Sequence, residues 1–210
     1  MRSINVIGRG KVKKEPDIAI ISFQKIATNK DYDKAIEDLN LTIRAVLEGL
    51  KNLGINEKDV KTTNFQVQVE KKYDNELKES VFLHYKAEQK IEIEICNEQR
   101  EINKLLKFLN DSEFSANINI SFKVSDEEGL REEALIRAIE DGKSKGNIIA
   151  NSLNLKISSV NEVIYNNIYN AFPRNQYDNI MLAKSNNIDF NISPKDIEIE
   201  ENVVIIFNIK

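Results

Sequence analysis

Tryptophan is absent from these 210 residues, and cysteine and histidine occur once each, as Cys96 and His84. A single cysteine excludes a disulfide within the chain. One histidine and one cysteine also exclude, within one chain, a zinc site of the usual ligand types. Any Ser-His-Asp or Cys-His centre would have to use His84. Both residues sit on one alternating stretch, His84 near its start and Cys96 at its end. On a straight strand, with its rise of about 3.3 Å per residue, they stand roughly 40 Å apart. They form no dyad there, and His84 reads as an exposed or hydrogen-bonded strand residue. Cys96 lies between Glu94 and Glu98, whereas a reactive thiolate favours cationic surroundings.

Long apolar runs are also missing. No stretch approaches the roughly 18 residues of a membrane-spanning helix, so no integral membrane segment is expected. The first residues, Met1 to Asn5, show neither an apolar leader core nor a small-residue cleavage site, and we expect a cytoplasmic protein. A strong basic balance is lacking too. The net charge is −4 and the pI about 5.3, which leaves no field to attract nucleic acid. Lys11, Lys13 and Lys14, like Lys71 and Lys72, read as solvated edges. Gly8-Arg9-Gly10-Lys11 lacks the length and the Lys-Ser/Thr ending of a phosphate loop. Its glycines are expected to allow a bulge or a tight strand bend. The residues point to no catalytic group, cofactor or metal.

What is present is ordinary for a globular chain: 41% hydrophobic and 30% charged residues, enough for a sizeable core. Ile18 to Ile26 is β-rich behind Pro16. Ala35, Ile36, Leu39, Ile43, Val46, Leu47 and Leu50 recur at helical spacing after a cap at Asn29 or Asp31, and Gly54 ends that helix. Phe65, Val67 and Val69 alternate with polar residues, as do Tyr85, Ala87, Gln89, Ile91, Ile93 and Ile95, so each reads as a strand with one dry face. Ile102, Leu105, Leu106 and Leu109 mark a short helix, and Ile118 to Val124 another strand.

Ser125 and Glu128 have capping-box spacing at the start of a helix running to about Leu153. Along it, Ala134, Ala138, Gly142, Gly146 and Ala150 form a small-residue stripe. Such a stripe lets another backbone approach closely, either the protein's own sheet, which we favour, or a second subunit. Charged neighbours such as Arg137, Glu140 and Lys143 exclude a membrane role for it. Val160 to Ile168 reads as a strand, and Ile197 to Ile209 as a central one. Between them an Asn-rich segment carries Tyr169, Phe172 and Tyr177. It is read as a flexible stretch over 169–194, either a mobile loop or a partner-binding arm, with a short helix around 178–184 as a further reading.

The pattern predicts an α+β fold: a mixed, largely antiparallel sheet packed with about three helices, in one domain over 1–210. A duplicated strand-helix-strand-strand unit, 15–96 and 115–210, is also legible, with helix 98–110 bridging the copies and their strands merging into one sheet.

Several short motifs, in order along the chain, resemble the SIMPL-domain family, a bacterial group known as oxidative-stress defence or periplasmic immunogenic proteins. They are Gly8-Arg9-Gly10 with Pro16-Asp17, and Gly54-Ile55 with Asp59-Val60-Lys61-Thr62. Further on come Tyr85-Lys86-Ala87 before a long strand, Phe122-Val124-Ser125-Asp126 before an Ala-rich helix, and Pro194-Lys195-Asp196-Ile197. The resemblance implies a mixed α+β domain, large ring-like homo-oligomers in some relatives, and no agreed catalytic residue. Many relatives carry a signal peptide and lie in the cell envelope, the alternative location for this chain. Relatives typically have Ala where this helix has Gly142 and Gly146.

Two functions are expected from these readings. The first is a non-enzymatic, self-assembling protein in stress defence or protein interaction. Its homo-oligomer or partner contacts would come from Ile4 and Val6 in an exposed N-terminal strand edge, from Ala134, Ala138, Gly142 and Gly146, and from Tyr169, Phe172 and Tyr177. The second is a ligand- or peptide-binding module using the aromatic-containing segment 165–194.

Overall fold

A computed structural model describes residues 2–76, 78–111, 118–165, 175–180 and 191–210. The elements in chain order are β1 (Ser3–Lys14), β2 (Ile18–Asn29), α1 (Tyr32–Asn52), β3 (Val60–Asp74), β4 (Glu79–Cys96), α2 (Gln99–Asp111), β5 (Ile118–Lys123), α3 (Glu127–Ser152), β6 (Ile157–Ile164), β7 (Asn175–Ile180) and β8 (Ile197–Ile209), with one 3₁₀ turn at Glu57–Asp59 before β3. The fold is α+β, and every strand pair among the described residues is antiparallel. The expected merger into one sheet is corrected. There are two sheets, ordered β1-β8-β6 and β3-β4-β2-β5-β7, and the chain divides into two compact units around them.

The first unit comprises Met1–Pro16, Val124–Arg174 and Pro194–Lys210. β1 pairs with β8 without a register shift, from Ser3↔Asn208 to Lys14↔Ile197. Alternation buries Ile4, Val6, Gly8, Gly10 and Val12 on one face of β1, under α3. The glycines make no bulge. A Cβ on Gly8 would overlap the Ala138 carbonyl oxygen, and one on Gly10 the Ala134 carbonyl oxygen. They allow a helix backbone to lie directly on a strand backbone. On the other side of the same contact, a Cβ on Gly142 would come within 2.8 Å of Ile205 and one on Gly146 within 2.6 Å of Phe207. The small stripe of α3 thus packs on the chain's own β1 and β8.

The start of α3 differs from the expected capping box. Asp126, not Ser125, is the cap: its side chain accepts from the Gly129 N–H at 3.0 Å. A carboxylate there satisfies an orphan donor and also suits the positive end of the helix dipole. A part-buried ion pair crosses the unit. Arg131 Nη1 of α3 donates to Glu201 of β8 at 2.8 Å, and the Tyr165 hydroxyl donates to the other Glu201 oxygen at 3.2 Å.

The second unit comprises Asp17–Lys123 and Asn175–Ser193. β2 lies between β4 and β5, and Ala19, Ile21 and Phe23 face a core shared with α1 and α2. Asp31 caps α1 by accepting from the Lys34 N–H at 3.1 Å, and Asn29 in turn accepts from the Asp31 N–H. The helix stops at Gly54, whose φ of +86° suits a residue without a Cβ, and the Ile55 N–H returns to the Leu50 carbonyl. α2 buries Ile102, Leu105, Leu106 and Leu109 in the same core.

The second repeat read over 115–210 is divided between the sheets. β5 joins β2, while β6 and β8 join β1. The correspondence that does hold is between the orders β3-β4-β2 and β6-β8-β1, so β1 takes the place expected of β5. Residues 175–180 are strand β7 on β5, not part of a helix around 178–184. Residues 166–174 and 181–190, with Tyr169 and Phe172, lie outside the described residues.

Candidate functional site

β3 and β4 form a long hairpin. Pairing between them runs from Val60↔Ile93 to Asp74↔Glu79, whereas β2 pairs with β4 only as far as Tyr85. From Glu79 to His84, β4 is therefore paired, among the described residues, with β3 alone. Directly opposed residues share a face of a sheet. Val69 opposes Tyr85, Val67 opposes Ala87 and Phe65 opposes Gln89, which puts Phe65, Val67 and Val69 on the face that carries the α1 core. Val67 packs against that core, but Phe65 and Val69 are about half exposed, at 48% and 49%. Tyr73, Phe82 and Leu83 are exposed farther along the hairpin. Tyr85 sits between Tyr32 at the start of α1, 5.4 Å away and edge-on, and Phe82 at 5.1 Å. This aromatic row joins the hairpin to the helix layer and leaves apolar surface beyond it.

The opposite face of the hairpin is polar and internally paired. Gln66 donates to Glu88, whose side chain is largely buried, and Lys86 lies 3.3 Å from Glu88 and 3.8 Å from Glu70. His84 Nε2 stands 2.9 Å from Glu70, a contact that is ionic only when the imidazole is protonated. Cys96 is exposed at the far end of β4. It borders a pocket of about 380 Å³ lined also by Ile18, Leu53, Ile55, Asp59 and Glu94. The structure does not bring His84 and Cys96 together. Among the described residues no group of three or more His, Cys, Asp or Glu is placed to hold a metal ion. Among them, too, no helix is long and apolar enough to cross a membrane.

The sequence-predicted contact residues fall elsewhere. Ile4, Val6, Ala134, Ala138, Gly142 and Gly146 are buried in the first unit's own packing. Tyr177 lies on β7, opposite Ile120. The expectation that Ile4 to Val12 presents an open strand edge is corrected. One side of β1 is paired with β8, and on the other three α3 side chains, one helical turn apart, engage its backbone. Arg137 donates to the Lys11 carbonyl at 2.8 Å, Asp141 accepts from the Arg9 N–H at 2.8 Å, and Lys145 donates to the Ile7 carbonyl at 3.2 Å. The Asp141 carboxyl is held below its ordinary range, first by the hydrogen bond from Lys145 and then by that from the Arg9 amide.

Sequence reading missed the exposed hairpin. Alternation in Phe65 to Val69 gave a half-buried strand but not how much of its apolar face lies beyond the helices. The available signal was the length of the two alternating stretches relative to Ile18 to Asn29, which is too short to back both along their whole length.

The chain matches the model of the SIMPL family, described as a protein of unknown function (DUF541), over residues 4–207. It is similar to the uncharacterized protein YggE of Edwardsiella ictaluri (strain 93-146), at 26% identity over 162 residues, or 75% of this chain and 65% of that protein. It thus spans just under two thirds of the length of this curated relative. Since the family match runs from β1 to β8, the chain belongs to the SIMPL (DUF541) family.

Proposed function

We propose that this protein is a non-enzymatic, self-assembling protein whose role, in stress defence or protein interaction, is carried by its oligomer. The observation that carries the reading is the apolar surface of the β3–β4 hairpin, where Phe65, Val69, Tyr73, Phe82 and Leu83 are all exposed on two strands. Clustered apolar side chains on a strand pair at a sheet margin favour association, because pairing removes both hydrocarbon and open backbone groups from water. The separation of His84 from Cys96 supports a role without nucleophilic catalysis.

The test is absolute mass by light scattering on a sizing column, over a concentration series of the full chain. A discrete oligomer is the expected result. A monomer at every concentration overturns the reading and moves attention to peptide binding by the 165–194 segment.

A further inference from the structure

Among the described residues four strands lie at sheet margins: β1 and β6 in one sheet, β3 and β7 in the other. Natural proteins blunt such margins with charge, bulges, short strands or covering side chains. β1 is covered by Arg137, Asp141 and Lys145 as described. β6 is broken by register shifts between Ile157 and Ser159 and between Val160 and Glu162. β7 pairs with β5 through a register shift between Ile118 and Ile120. β3 is 15 residues long, with β4 on one side and no strand on the other among the described residues.

The middle of β3 lacks these protections. Its pairing with β4 shifts between Thr62 and Asn64 and again between Glu70 and Lys71, and is regular from Asn64 to Glu70. From Thr62 to Val69 the sequence holds no ionisable side chain, while Lys61, Glu70, Lys71 and Lys72 flank it. The centre of the regular segment is Val67. An antiparallel copy turned about that residue sets Val67 against Val67, Phe65 against Val69, Gln66 against Gln68 and Asn64 against Glu70. The segment is therefore self-complementary. The half-exposed Phe65 and Val69 of one chain meet their counterparts in the other, on the face that already carries the α1 core. Gln66 and Gln68 meet on the polar face.

We propose that β3 pairs with β3 of a second copy of this chain, antiparallel about a two-fold axis at Val67, so that two five-stranded sheets become one. Such an interface is isologous, the commonest kind in homo-oligomers. Cross-strand aromatic–aliphatic pairs like the two Phe65–Val69 contacts stabilise antiparallel sheets. This interface rests on the self-assembly reading and names where that assembly begins.

The test uses charge exchange and cross-linking in the full chain. Phe65→Lys with Val69→Lys sets like charges opposite each other, and the mass should fall below the wild-type value, to half of it for a dimer. Phe65→Lys with Val69→Glu places the introduced cation opposite the partner's introduced anion and should recover the wild-type mass. These two positions are about 13 Å apart along one strand, too far to pair within a chain.

In parallel, Val67→Cys in a Cys96→Ser background should give a covalent dimer with a short bismaleimide. Ile148→Cys, exposed on α3, should not. An oligomeric wild type whose mass survives the double-lysine change, with no Val67→Cys dimer, overturns this interface and leaves self-assembly standing. A monomeric wild type overturns both.

Discussion

Gly8 and Gly10 occupy places where a single methyl group would meet backbone atoms of α3 rather than a movable side chain. Backbone cannot yield as a rotamer can, so overpacking at these positions falls at the costly end of the usual range. Gly10→Ala is expected to lower stability by about 3 kcal/mol. Ile7→Ala, at an exposed position on the same strand, should change it by no more than about 0.5 kcal/mol. Urea midpoints of the two variants check this. The sequence announced that these glycines matter but not why. A Gly-x-Gly in a strand serves a bend as readily as a close approach, and only the position of Ala134 and Ala138 distinguishes the two.

Among the elements, β1 and α3 are joined by a side-chain ladder as well as by packing. Arg137, Asp141 and Lys145 recur every four residues and so face one way, along the outer edge of β1. Asp141 is the acidic rung, and its carboxyl ionises more readily in the folded chain than in the unfolded one. Its contribution is therefore fully present above the unfolded-state value of about 3.9 and is lost as pH falls through the lower folded value. Asp141→Asn should lower stability near neutral pH by no more than about 1 kcal/mol, because the Lys145 pair is partly exposed. The gap between variant and wild type should then close as pH falls through the lower folded-state value. Chemical denaturation of both proteins across this range measures it.

This ladder was not legible in the sequence. Spacing of four places three residues on one face, but whether that face meets solvent or a strand edge depends on a partner more than a hundred positions away. The cap of α3 was legible only to within one residue, since Ser125 and Asp126 can both accept from a first-turn amide and the backbone path decides between them.

For the whole molecule, the proposed β3 pairing joins strands through a centre without charge. Screening weakens ionic contacts and leaves apolar burial intact, so raising ionic strength to about 1 M should not reduce the oligomer's mass. Light scattering in low and high salt decides it, and dissociation by salt would place the association in the flanking Lys61, Glu70, Lys71 and Lys72 instead. The division into two units has its own topological cause. The chain begins in the three-stranded sheet, leaves it after Lys14, and returns through α3, so β1 and β8 can pair only across almost the full sequence.

The sequence by itself determined what depends on neighbours in the chain: where helices and strands form, which face of each is dry, the stops at Gly54 and the small stripe on α3. Periodicity and capping are local, so the α+β class and the family resemblance were readable from order and spacing alone. The tertiary structure decided what depends on distant partners. It set two sheets in place of one, put β1 beside β8, covered the outer edge of β1 and, among the described residues, placed no strand beside the middle of β3. A strand carries the same alternation whether it is central or marginal; only the backbone groups on its far side, and what stands next to them, distinguish a closed edge from one ready to pair.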